Sequence, residues 1–87
     1  MVTIWIPSLL RDLTEGESKL EVTAETVDEA ITTIDDRYPG FRNQIVKDNK
    51  IIPDLSVVVD GEISETRLRQ KLDKVKEIHF LPVISGG

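Results

Sequence analysis

The 87-residue chain has no cysteine. That removes disulfides, thiolate metal sites and thiol nucleophiles together. It also fits a reducing compartment, so the expected setting is the cytoplasm. Histidine and tryptophan occur once each, as His79 and Trp5. A lone histidine without a carboxylate partner reads as a surface strand residue, not as a base or a ligand. Positive charge is in the minority: 11 Lys and Arg against 16 Asp and Glu leave a formal charge of −5. Non-specific nucleic-acid binding needs basic neutralisation of phosphates and is disfavoured. Partners with basic surfaces are favoured. No apolar run approaches the roughly 20 residues of a membrane span. The start, Met1-Val2-Thr3-Ile4-Trp5-Ile6-Pro7, lacks the basic opening and cleavage pattern of a signal peptide. There is no repeat and no phosphate-cradling glycine loop. Asp12, Glu15 and Glu17 do not have calcium-loop spacing. Asp28-Glu29 and Asp35-Asp36 read as first-turn and solvent-side helix charges, not as an acid–base pair. No metal or bound cofactor is expected.

The apolar pattern predicts one domain. Val2, Ile4 and Ile6 alternate with Thr3 and Trp5, a half-buried strand ended by Pro7. A polar turn at Leu13 to Gly16 leads to a second strand, Ser18 to Thr23, with Leu20 and Val22 inward. Thr26-Val27-Asp28-Glu29 is a capping box. Behind it, Val27, Ala30, Ile31, Ile34 and Tyr38 form one helical face, stopped by Pro39-Gly40. Phe41 to Lys47 adds a helical turn or two, and Asp48-Asn49-Lys50 is loop. Leu55 to Val59 is a strand ending in the hairpin signal Asp60-Gly61, with Glu62-Ile63 as its return. Thr66 to Leu72 reads as a short helix with Leu68 and Leu72 inward. Glu77 to Leu81 is the last strand, Ile78 and Phe80 facing one way, His79 and Leu81 the other. Pro82 lacks a backbone donor, so pairing is expected to fade there. The order implies an α+β domain, a mixed sheet of four to five strands with one main helix across one face. First and last strands side by side at the centre would make it a β-grasp. Residues 1–81 form that domain and residues 82–87 a flexible tail.

Glycine is scarce, yet two of the five glycines are the last two residues. With no Cβ, Gly86 and Gly87 can pass through a slot that any side chain would block. The expected reactive group is the carboxylate of Gly87 itself. Six residues from Pro82 span at most roughly 20 Å, enough to enter a partner's buried site. Val83 and Ile84 would supply apolar contacts and Ser85 a hydrogen bond. On the strand reading, Trp5, Val58, His79 and Leu81 project from the sheet face opposite the helix. Such an exposed apolar patch marks an interaction site, with Trp5 as its anchor.

At this point the chain resembles the ubiquitin-like sulfur carriers: the molybdopterin-synthase small subunit (MoaD type), the thiazole-forming ThiS type, which tends to be shorter, and the cysteine-forming CysO type. The ending Leu81-Pro82-Val83-Ile84-Ser85-Gly86-Gly87 is similar to the tails of the first and third types. Ser85 stands where they often have alanine. The opening Ile6-Pro7-Ser8-Leu9-Leu10-Arg11 is most similar to the CysO type, and Val58-Val59-Asp60-Gly61-Glu62 fits the family turn. Asp73-Lys74-Val75-Lys76 departs from the Asp-Gly-Asp that relatives often carry. The resemblance implies that an E1-like adenylating enzyme of MoeB/ThiF type uses ATP to activate Gly87. A sulfur donor then converts the adenylate to a thiocarboxylate. Sulfur passes to an acceptor enzyme, cysteine-synthase-like or the molybdopterin-synthase large subunit. The chain is then a protein co-substrate and not itself an enzyme, though it could be the small subunit of a sulfur-transfer enzyme such as molybdopterin synthase. The alternative is a ubiquitin-like modifier conjugated through Gly87 to lysines. A regulatory β-grasp domain with an inert tail is a third reading.

Overall fold

The structure is a computed structural model that describes residues 1–83. β1 (Val2–Trp5) and β2 (Lys19–Val22) pair antiparallel, with Ile4 opposite Leu20. α1 (Val27–Arg37) and the short α2 (Phe41–Ile45) follow. Then come β3 (Val46–Lys47), β4 (Lys50–Ile51), β5 (Leu55–Val59), β6 (Glu62–Ile63) and β7 (Glu77–Pro82). The main sheet has five strands in the order β2-β1-β7-β5-β6, and β3 and β4 form a separate hairpin. β1 and β7, the first and last strands, lie parallel at the centre. This is the expected α+β, β-grasp arrangement.

Local chemistry accounts for the main elements. Thr26 Oγ1 accepts the Glu29 N–H at 3.2 Å, while the Glu29 carboxylate accepts the Glu25 N–H at 2.7 Å. The reciprocal half of the cap thus lands one residue before the N-cap. Val27, Ala30, Ile31 and Ile34 are fully enclosed, and Tyr38 packs at the margin of the same core. The helix meets the inward residues of the sheet: Ile4 and Ile6 from the first strand region, Val57 from β5, Ile78 and Phe80 from β7. Asp35 Oδ1 accepts the N–H groups of Gly40 and Arg42, so the chain turns at Pro39-Gly40 directly into α2.

Four local expectations are corrected. The connection after β1 is a 3₁₀ helix, Ser8–Thr14, that buries Leu10 and Thr14; the turn proper is Glu15 and Gly16, both left-handed. Thr14 is tolerated in the core because its hydroxyl donates to the Glu17 carbonyl at 2.8 Å. Helix ends at Ile45, and Val46 to Ile51 make a hairpin, because Asp48 and Asn49 adopt the positive φ of its two-residue turn. Thr66 to Leu72 is only a single 3₁₀ turn, Arg67–Arg69. There the Ser64 hydroxyl accepts the Arg67 N–H and donates to Gln70 Oε1, offering the chain an alternative to helix. Leu68 and Leu72 are buried all the same. Finally, pairing does not fade at Pro82. It sits opposite Leu55, and the Val83 N–H still donates to the Asp54 carbonyl at 2.8 Å. Antiparallel pairs alternate between bonded and non-bonded. Pro82 occupies a non-bonded position towards β5, so its missing N–H costs that ladder nothing.

Candidate docking face and carboxyl-terminal arm

The outward side chains of the sheet fall into register. Lys19 of β2 is opposite Trp5 of β1, Trp5 is opposite His79 of β7, His79 is opposite Val58 of β5, and Val58 is opposite Ile63 of β6. These five residues make one row across every strand, on the side away from α1. At about 4.8 Å between strands the row is about 19 Å wide. Leu81 lies one outward position further along β7, opposite Ser56. Three of the expected partner-facing residues, Trp5, His79 and Val58, are therefore direct neighbours, and Leu81 continues from them towards the tail.

The row is partly self-packed. The rings of Trp5 and His79 are stacked, 5.5 Å between centroids and 9° from parallel. Lys19 Nζ lies 5.6 Å from the Trp5 ring centroid. Trp5 is consequently half-buried, covered by its strand neighbours. The indole Nε1 is enclosed and has no hydrogen-bond partner among the described residues. His79 Nε2 is 3.9 Å from Glu77 Oε2. Ile63 is 73% exposed, and Leu81 and Val83 are each 44% exposed.

Lys19 and Ile63 complete the row and were not among the residues singled out from the sequence. Their parity was legible: Leu20 and Val22 inward put Lys19 outward, and a two-residue Asp60-Gly61 hairpin sets Ile63 against Val58. What the sequence lacks is the strand order that brings β2, β1, β7, β5 and β6 side by side.

The tail leaves from the central strand. Pro82 and Val83 are held against Leu55 and Asp54. The expected tail residues Ile84, Ser85, Gly86 and Gly87 lie outside the described residues. Four residues beyond Val83 can reach at most about 14 Å. Two surface hollows of about 460 Å³ lie elsewhere, one beside Thr26 and Leu72, the other around Arg67 and Leu68. Among the described residues no group of three or more His, Asp or Glu is placed to hold a metal ion. No described helix is long and apolar enough to cross a membrane.

The sequence matches the model of the ThiS family over residues 4–87. The chain belongs to the ThiS family. Among solved structures, this ThiS-family chain is similar to a chain of the Amycolatopsis orientalis BexX/CysO complex, at 30% identity and a TM-score of 0.89, with 100% of each chain covered. Mycobacterium tuberculosis CysO is similar at 20% identity and a TM-score of 0.87, covering 97% of this chain and 100% of that one. Small archaeal modifier protein 1 from Methanosarcina acetivorans is similar at 22% identity and a TM-score of 0.78, covering 99% and 95%. The last two likenesses speak for the fold only. A comparison with curated proteins gives no match. The fold of this ThiS-family member is that of the small ubiquitin-like carriers and modifiers, and a similar chain has been solved in complex with another protein.

Proposed function

We propose that the protein is a sulfur carrier working in the cytoplasm, with Gly87 bearing the reacting carboxylate. The observation that carries this reading is the ThiS-family match over residues 4–87, which takes in the whole Gly-Gly ending. An ionised carboxylate is a poor electrophile. A Gly87 oxygen therefore attacks the α-phosphorus of ATP on an E1-like adenylating enzyme of MoeB/ThiF type, and pyrophosphate leaves. A sulfide-equivalent donor attacks the acyl carbon, AMP leaves, and a proton is released from sulfur. The product is a thiocarboxylate, whose anionic sulfur is the nucleophile delivered to an acceptor enzyme. The 30% identity to a chain of the BexX/CysO complex favours a CysO-type carrier; cysteine and molybdopterin biosynthesis are the two destinations. ATP is the partner's cofactor and not this chain's.

The chain's own residues bind and aim. Trp5, Val58, His79 and Leu81 dock the partner. Pro82 and Val83, held against Leu55 and Asp54, set the direction in which the arm leaves. Ile84 and Ser85 line the partner's channel, and Gly86 and Gly87 pass its narrowest part. The test is intact mass spectrometry after incubation with the E1-like enzyme, ATP and sulfide. A sulfur-for-oxygen exchange at Gly87 is expected. Isopeptide adducts between Gly87 and lysines, with no thiocarboxylate, would instead establish the modifier role. No ATP-dependent change at all would leave a scaffold domain.

A further inference from the structure

Trp5 faces away from α1, and its indole is flanked by a residue of each neighbouring strand. Lys19 and His79 sit opposite it on the two strands that flank β1. His79 stacks on the ring, and Lys19 brings its ammonium over it. Among the described residues Lys19 is in no ion pair. An exposed lysine ordinarily keeps the rotamer freedom of its stem, and lying over a ring forfeits part of that freedom. Cation–π attraction and coverage of the aromatic surface offset the loss.

We infer that Lys19 is a positioning residue for docking: it braces the Trp5 indole, against His79, in the orientation in which it enters the partner. The inference rests on the reading of this face as the docking surface. A side chain ordered before association lowers the ordering cost of binding. It does nothing to the acyl chemistry at Gly87. The effect of Lys19 therefore falls on KM for the carrier and not on kcat.

Two measurements test this with Lys19→Ala and Lys19→Arg. The first is ¹⁵N relaxation of the indole N–H in the free protein, which is unambiguous because Trp5 is the sole tryptophan. The second is the steady-state rate of ATP-dependent adenylation by the E1-like enzyme. Lys19→Ala is expected to loosen the indole and raise KM about two- to fivefold, the factor equivalent to a cation–π contact at an exposed site, with kcat unchanged. Lys19→Arg keeps a cation over the ring and is expected to restore both. Unchanged indole relaxation in Lys19→Ala, an unchanged KM, or an arginine that fails to rescue would overturn the inference. If the wild-type chain is not adenylated, the carrier reading and the docking role fall together. If it is adenylated and only the indole dynamics stay constant, the brace alone is lost.

Discussion

Trp5 shows how one residue can be half-enclosed without belonging to the core. Its cover is the stacked His79 ring and the Lys19 stem, both on the outward face, and its indole nitrogen goes unpartnered among the described residues. Trp5→Ala is therefore expected to lower stability by no more than about 2 kcal/mol. The same change should weaken binding to the adenylating enzyme by about 2 kcal/mol or more, roughly thirtyfold. Urea unfolding and titration calorimetry read the two quantities. A large loss of stability with unchanged binding would return Trp5 to the core. Gly86 makes the complementary case at the other end of the chemistry. Gly86→Ala adds a single methyl where clearance in the partner is least, so adenylation should fall sharply while the unfolding curve stays put. Adenylation at the normal rate would remove the slot argument. At this scale the sequence was informative about Trp5, because strand parity is local. It was silent about Lys19, because which lysine lies over which ring depends on the pairing partner.

Among the elements, the β5–β6 turn matters beyond its own hairpin. Asp60 has a left-handed φ of 48° and Gly61 one of 87°, as the two-residue turn demands. The Asp60 carboxylate then accepts the N–H of Lys76 at 3.1 Å and of Glu77 at 2.9 Å. It thereby pins the start of β7, the strand that carries His79, Leu81 and the arm. The segment before β7, Asp73-Lys74-Val75-Lys76, is tied at its end by Asp60. Asp60→Ala removes two solvent-exposed hydrogen bonds to a carboxylate and is expected to cost about 1 kcal/mol. Amide hydrogen exchange should show the loss first at Lys76 and Glu77; uniform loss across the sheet would argue against a local latch. The turn at Asp60-Gly61 was readable from two letters. The hairpin at Asp48-Asn49 and the curtailed helix at Arg67–Arg69 were not, since short apolar spacing cannot distinguish helical turns from side-chain-tied loops.

For the molecule as a whole, one core carries everything. Phe80 is enclosed on the central strand beneath α1. Phe80→Ala should cost about 3–5 kcal/mol, against about 4–13 kcal/mol expected for a domain of this size. The melting temperature should drop by about 15 °C or more, and a smaller drop in a thermal scan would mean that the site collapses around the cavity. The β-grasp was legible because its parts are periodic: alternation in β1 and β7, a 3.6-residue stripe in α1, a glycine pair at the end. Those patterns are properties of adjacent residues. By itself, then, the sequence determined the main strands and α1, with their inward and outward faces. Only the tertiary structure decided that Lys19, Trp5, His79, Val58 and Ile63 form a single row across the sheet. Register between strands far apart in the chain is set by packing the whole sheet against one helix, and no local pattern contains it.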